Sequence, residues 1–398
     1  MLSRWRKWKP EARGQKSEEV ARWQPKRETD GIFPAGDGSR DIRDIVSSPH
    51  LPALDGLRAV AVGGVMVFHY GLLPFAFAKL GVSLFFVLSG FLITLLMMRE
   101  RETTGSVSLK RFYARRALRI FPAYYVFLVV VLAWMASQGE PTPPALVLAS
   151  VFYVLNYVQA FGAFRSTPVS HGWSLGVEEQ FYLVWPAMLR GAWRRRIPVP
   201  KLILVAVILV CAWRTTLTLA GVRPGYLYFA FDTRFDSLLI GCGLAICIRD
   251  GWVQRAARMV SANALLPVVT LLLLGASEVV PVELWFLTVA DSFEAILLAI
   301  LLVQGLLLHQ HPLWRWLNWP IVRYLGTISY PLYLYHQLSP AIIPDTLPLR
   351  WPMQVALTFL VAIALAMCSY HLVERPFLLL KERFSPRSTG EKAVPTAA

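Results

Sequence analysis

Charge is scarce in this sequence. Only 16% of its 398 residues are Asp, Glu, Lys or Arg, against about 25% in an ordinary soluble domain. Acids are the scarcer sign, 25 against 40 lysines and arginines. Cysteine is rarer again: Cys211, Cys242, Cys247 and Cys368 are all there are, and each sits in an apolar stretch. No pair has metal-ligand spacing and none falls in an obvious outer loop, so they read as small packing residues and no metal is expected. No long internal repeat is visible. The first apolar run begins near Leu51, too late for a cleavable leader, so none is expected. Apolar residues make up 56% of the chain and the mean hydropathy is +0.48. They gather in runs of roughly 17–25 residues almost free of charge, the length that crosses a bilayer as a helix. The expected fold class is therefore all-α, a polytopic transmembrane helix bundle, rather than a soluble domain with a core.

The net charge of +15 would suggest nucleic acid in a soluble protein. Here no basic groove is interleaved with base-stacking aromatics. The lysines and arginines flank apolar runs, where they orient helices and meet anionic head groups of a lipid bilayer. No nucleic-acid partner is expected, and nothing in the sequence selects an oligomeric state.

Candidate spans fall at 52–73, 80–98, 120–137, 145–161, 173–189, 202–220, 234–248, 264–277, 284–308, 324–343 and 353–373. If 145–161 is a broken or re-entrant segment, about ten crossings remain and both termini lie inside. The outer loops then hold only Lys79, Arg165, Arg223, Arg234 and Arg350. If 145–161 crosses, Arg190, Arg194, Arg195, Arg196 and Lys201 turn outward, against the positive-inside rule. Asn156, Tyr157 and the polar stretch 162–170 also suit a break. The expected organisation is a basic cytoplasmic tail over 1–50, carrying Trp5, Trp8 and Trp23, a membrane domain over 51–377, and a cytoplasmic tail over 378–398.

Ionisable groups inside spans are costly and so mark candidate function. Arg58 and His69 lie eleven residues apart in the first span, on one stripe and about 16 Å apart along the axis. They either snorkel to opposite head groups or face a common path. The span beginning His171-Gly-Trp173-Ser carries Glu178, Glu179 and Gln180, at a depth close to that of His69. A carboxylate beside an imidazole makes a general base; a structural Glu–Arg or Glu–Tyr bond is the other reading. Arg234 and Asp236 read as a local ion pair. Arg111, Arg115 and Arg119, spaced at i, i+4 and i+8 with Arg116 alongside, form a cationic stripe at the inner face. It suits bidentate phosphate contacts, although anchoring accounts for some of these arginines. Ser89-Gly90 lies mid-span, where backbones approach closely. Tyr330, Pro331 and His336 follow one another in a late span, with Pro331 as an expected kink.

These segments, in this order, resemble the acyltransferase-3 family of membrane acyltransferases. The resemblance rests on Leu54-Asp-Gly-Leu-Arg58-Ala, His69, Gly81-Val-Ser-Leu-Phe-Phe-Val-Leu-Ser89-Gly-Phe-Leu-Ile, Phe112-Tyr-Ala-Arg-Arg-Ala-Leu-Arg-Ile-Phe-Pro, Trp173-Ser-Leu-Gly-Val-Glu-Glu-Gln-Phe-Tyr, Ser329-Tyr-Pro-Leu-Tyr-Leu-Tyr-His336 and Glu374-Arg-Pro-Phe. It covers about Leu51 to Phe377. It implies an acyltransferase, with an O-acetyltransferase of a surface polysaccharide or lipid-linked glycan as the expected case. The co-substrate would be acetyl-CoA or another acyl-CoA, with no permanently bound cofactor. On that reading Arg58, Arg111, Arg115, Arg116 and Arg119 hold the donor, and His69, supported by Glu178 or Glu179, is base or acyl carrier. Ser89, Trp173, Tyr330 and His336 line the substrate path. The expected site of action is the bacterial cytoplasmic membrane. Pro331 stands where the family often has Gly. Some members carry a fused hydrolase-like domain; with 24 residues after Glu374, none is expected here. The rival class is a transporter or flippase of a lipid-linked sugar or small anion.

Overall fold

The computed structural model describes residues 41–48, 51–163, 167–280, 283–344, 347–381 and 384. Trp5, Trp8, Trp23, Arg165 and most of the C-terminal tail lie outside them. The regular structure among the described residues is helical, with no strand.

The first helices are α1 (Ile42–Ser47), α2 (Pro52–His69), α3 (Phe75–Thr104) and α4 (Leu109–Ser137). α1 falls in the segment expected to be a polar tail, yet Ile42 and Val46 are buried against the bundle. Gly105, at φ 73°, stops α3 in the left-handed conformation, and the Ser108 hydroxyl caps α4 by accepting from the Arg111 amide. The following helices are α5 (Pro144–Val151), α6 (Leu155–Ala160), α7 (Gly172–Arg194), α8 (Val199–Leu219), α9 (Pro224–Phe229) and α10 (Phe235–Arg249). The last are α11 (Gln254–Val260), α12 (Leu266–Ser277), α13 (Glu283–Thr288), α14 (Ala290–Leu308), α15 (Pro320–Thr327), α16 (Ser329–Tyr335), α17 (Leu338–Ala341), α18 (Trp351–Ser369) and, after a π turn, α19 (Arg375–Lys381).

Among the described residues, five helical stretches are long and apolar enough to cross a membrane: α3, α4, α8, α14 and the run Trp351–Lys381. They differ in what covers them. Of the apolar stretch of α3, 72% is buried inside the protein, but only 17% of that of α8. Leu204, Val205, Ile208 and Leu209 of α8 stay exposed. An apolar helix face that protein leaves bare is stable when lipid covers it. The chain is thus a multi-pass membrane protein with α3 near its centre.

Close backbone approach fixes that centre. Gly90 of α3 lies against the Leu238 carbonyl of α10, and Gly241 of α10 lies against the Val87 carbonyl of α3. A Cβ at either position would strike backbone, so the expectation of close approach at Gly90 is met. Cys242 adds a thiol hydrogen bond to the Gly90 carbonyl at 3.3 Å. On the other side of α3, Gly81 sits on the Ala61 carbonyl of α2 and Gly64 of α2 on the Phe77 carbonyl. Small residues let helices meet where the hydrophobic effect alone gives no preference.

The segment near 145–161 is broken. α5 ends at Val151, Tyr153 takes φ 56°, and α6 begins at Leu155. Freed carbonyls find side-chain donors: Tyr124 Oη donates to Ser150 O at 2.8 Å, and Gln180 Nε2 to Tyr153 O at 2.9 Å. Gln180 and Asn156 also exchange amide hydrogen bonds. This is how irregular backbone persists in an apolar setting. Pro331 acts similarly, lacking the N–H that the Thr327 carbonyl would accept, and α15 ends at Thr327.

Candidate active site

One cavity gathers seven of the expected residues. It encloses about 740 Å³ of space including its mouth, and its lining includes Arg58, Arg116, Arg119, Ser89, Glu178, Glu179 and Tyr330. Residues of α2, α3, α4, α7 and α16 meet there. Arg116 and Arg119 are three apart on α4 and share one face. The Arg116 guanidinium stacks over the Tyr182 ring, 3.9 Å from its centroid. Tyr182 Oη donates to Glu178 Oε2 at 3.3 Å, and Ser89 Oγ donates to Glu178 Oε1 at 2.8 Å. Arg58 pairs with Asp55 at 3.2 Å. Tyr330 Oη donates to the Ile120 carbonyl at 3.1 Å. The lining thus brings together three guanidinium groups, one of them paired with Asp55, and two carboxylates.

The expected arginine stripe divides. Arg115 bonds Glu100 at 2.6 Å and Arg111 stands 3.6 Å from the same carboxylate. Neither lines the cavity. Glu100 is a buried residue of α3, so this half of the stripe neutralises a buried acid while Arg116 and Arg119 turn toward the cavity.

His69 is elsewhere. It is the last residue of α2 and is exposed, because the helix ends there rather than at residue 73. Its Nδ1 donates to the Val65 carbonyl at 2.8 Å, which leaves Nε2 with its lone pair in the neutral ring. Among the described residues, no hydrogen bond joins His69 to Glu178 or Glu179, so the expected carboxylate support is not made. Another histidine stands beside it instead. The His69 and His336 rings lie 4.8 Å apart, edge to face, and His171 is 4.8 Å beyond His336. His336 is fully buried. Its Nδ1 donates to the Tyr333 carbonyl at 2.6 Å, and its Nε2 has no hydrogen-bond partner among the described residues.

Tyr333 connects the histidines to the cavity. It lines the cavity with Ser174 and shares a 2.6 Å hydroxyl contact with Ser174 Oγ. It donates to the His171 carbonyl at 3.1 Å, and its ring is 5.3 Å from that of His336. Trp173 lies beside the cavity, against Phe86 at 6.2 Å. His171, Ser174 and Tyr333 had no assigned role in the sequence reading, although Tyr333 and His336 stand at i and i+3 and His171 opens the Trp173 motif.

A third group was misread. Arg234 and Asp236 do not pair with each other. Arg234 pairs with Asp291, and Asp236 pairs with Arg214 at 2.8 Å. Lys79, expected in an outer loop, is buried within α3 and lies 2.9 Å from Glu294, 3.2 Å from Glu278 and 3.6 Å from Asp291. Cations and acids from α3, α8, α10, α14 and the end of α12 thus form one buried network.

Residues 51–371 match the profile of the acyltransferase-3 family, described as an acyltransferase domain. The chain is 34% identical over 365 residues to the peptidoglycan O-acetyltransferase OatA of Listeria monocytogenes, covering 83% of this chain and 56% of that protein. It is 31% identical over 320 residues to the O-acetyltransferase OatA of Staphylococcus aureus, covering 74% of this chain and 51% of that protein. It spans about half the length of the curated relatives it matches. No solved structure matches it. With the order of the motifs, the helical bundle and the profile over residues 51–371 in agreement, the chain belongs to the acyltransferase-3 family.

Proposed function

We propose that this protein is an O-acetyltransferase of the bacterial cytoplasmic membrane. It takes an acyl group, acetyl in the expected case, from cytoplasmic acetyl-CoA and transfers it to a hydroxyl of a cell-wall glycan. The observation that carries the reading is the arginine-lined cavity of Arg58, Arg116 and Arg119, linked through Tyr333 to the three histidines. The names of the relatives point to peptidoglycan as the acceptor. About ten crossings with both termini inside put the arginines at the cytoplasmic face and His69 at the outer one.

The arginines hold the donor phosphates with charge-assisted bonds, Arg111 and Arg115 forming the outer rim of that surface. The thioester arm runs past Ser89, Tyr330 and Trp173 toward His69. Along α2, His69 lies about 16 Å from Arg58, so donor head and reacting carbonyl occupy opposite ends of one helix. His69 Nε2 takes the proton of the acceptor hydroxyl as its oxygen attacks the thioester carbonyl. The C–S bond breaks, the thiolate leaves and recovers a proton, and an ester and free CoA result. In a two-step variant Nε2 itself is acylated and then passes the group on. In both, His336 buttresses the imidazole. Glu178 and Glu179 act in the donor cavity, as counter-charges that orient Arg116.

The test uses membranes or nanodiscs holding the full chain, with radiolabelled acetyl-CoA and peptidoglycan fragments. His69→Ala should lower acetylation by at least about 10²-fold, the usual worth of a general base. Unchanged acetylation by a normally inserted His69→Ala protein refutes the mechanism.

A further inference from the structure

A second cavity lies across Trp173 from the arginine-lined one. It encloses about 650 Å³ of space including its open mouth. Phe75, Tyr228, Phe229 and Leu287 are among its walls, and Lys79 and Asp291 form its charged end. Trp173 packs on Tyr228 at 5.0 Å and Phe229 at 5.1 Å, while Phe86, on its other side at 6.2 Å, lines the donor cavity. Among the described residues, no arginine lines this second space. At its rim, ring contacts lead back to the reacting histidine: Tyr228 to Phe75 at 5.5 Å, Phe75 to Phe68 at 5.4 Å and Phe68 to His69 at 4.9 Å.

The lining selects among ligand classes. A phosphate would need unopposed cations, but Lys79 already faces Glu278, Asp291 and Glu294. A lipid chain would leave the Lys79–Asp291 end desolvated against hydrocarbon, which is unfavourable. A neutral polyhydroxylated ring satisfies both ends. Its C–H face lies on the aromatic walls, and its hydroxyls meet the carboxylate. Asp291 Oδ1 is buried, accepts no hydrogen bond among the described residues, and stands 3.6 Å from Lys79 Nζ.

We propose that this cavity is the acceptor subsite, binding one pyranose of the glycan with a hydroxyl turned toward His69. The proposal rests on the acyl-transfer reading above and adds to it that donor and acceptor occupy separate cavities divided by Trp173.

The experiment uses the full chain in nanodiscs with acetyl-CoA and an N-acetylglucosamine tetramer as acceptor. Phe75→Ala and Phe229→Ala should raise the acceptor KM by about ten-fold or more, the equivalent of losing one aromatic platform, and leave the acetyl-CoA KM within about two-fold. Phe75 is exposed, so its replacement spares the core. In parallel, a Phe75→Cys protein is labelled with a maleimide and the modified peptide is quantified by mass spectrometry. The tetramer should slow labelling several-fold and CoA should not. If wild-type protein acetylates the tetramer while both variants keep its KM and the label is unprotected, the subsite is refuted and the function stands. If the tetramer protects the label but no acetyl transfer occurs with any glycan, the cavity is upheld and the acyl-transfer reading falls. Protection by undecaprenyl phosphate and not by the tetramer overturns the proposal in favour of a lipid slot.

Discussion

Arg214 is the most exacting place to test the buried network. Its side chain is 1% exposed and bonds Asp236 at 2.8 Å, Asp291 at 3.4 Å, Ser292 at 2.5 Å and the Thr233 carbonyl at 3.1 Å. The two acids do not depend on it equally. Asp291 also faces Arg234 and Lys79, whereas Arg214 is the only cation paired with Asp236 among the described residues. Arg214→Met therefore leaves the fully buried Asp236 carboxylate with the Ser292 hydroxyl but no counter-charge. Breaking a buried pair by removing one partner costs about 3–5 kcal/mol. Asp236→Asn leaves Arg214 its contact with Asp291 and should cost about 1–3 kcal/mol. The double variant removes both charges, so its loss should be smaller than the sum by at least about 1.5 kcal/mol. With unfolding entropy scaled to this chain length, 3–5 kcal/mol corresponds to a drop of about 4–7 °C or more. Thermal unfolding in detergent followed by tryptophan fluorescence measures it, all variants being compared at one scan rate because membrane proteins unfold irreversibly. Equal melting temperatures for Arg214→Met and Asp236→Asn, or strict additivity in the double variant, would refute the asymmetry.

The donor cavity makes a graded prediction. Arg116→Ala and Arg119→Ala should each raise the KM for acetyl-CoA by about ten-fold or more, as expected for the loss of a charge-assisted phosphate contact; Arg111→Ala, half-exposed and outside the cavity, should raise it less. Equal effects at all three positions in steady-state assays would count against the division of the stripe. Gly90→Ala puts a Cβ into the Leu238 carbonyl and should destabilise by about 1–3 kcal/mol, read in the same melting assay; an unchanged melting temperature would mean the α3–α10 contact is looser than described. His336→Phe keeps an aromatic ring, though a larger one, and removes both nitrogens. Acetylation should fall with little change in either KM, and wild-type turnover would rule out its support of His69.

Much of the fold was legible because lipid imposes a simple rule on sequence. Most of the apolar runs are helical, and even the break at Tyr153 was signalled by Asn156 and the polar stretch after it. The runs 284–308 and 324–343 are each divided, however, and among the described residues five stretches rather than about ten are long and apolar enough to cross. Boundaries were less legible. α2 stops at His69 although Gly71, Leu72 and Leu73 extend the apolar pattern, and that slip of four residues carries His69 from within the bundle to its rim. Its expected partnership with Glu178 fails for the same reason. The candidate residues were legible as a set, since the cavity collects Arg58, Ser89, Arg116, Arg119, Glu178, Glu179 and Tyr330 from five helices.

What could not be read was partner choice. A charge in a membrane span must find a counter-charge, and the nearest in sequence is the natural guess. That guess pairs Arg234 with Asp236, two residues away. Arg234 stands just before α10 and Asp236 is its second residue, and each looks to another helix. Arg234 reaches Asp291 and Asp236 reaches Arg214, partners tens of residues distant whose proximity depends on the way α8 and α14 pack on α10. Helical phase alone does not sort the α4 arginines, since Arg119 is about 40° from Arg115 and about 60° from Arg116. Arg115 turns to the buried Glu100, while Arg116 and Arg119 line the cavity. In a bundle of this kind the type of a buried ionisable residue marks it as a candidate, and the counter-charge that a neighbouring helix offers decides which site it serves.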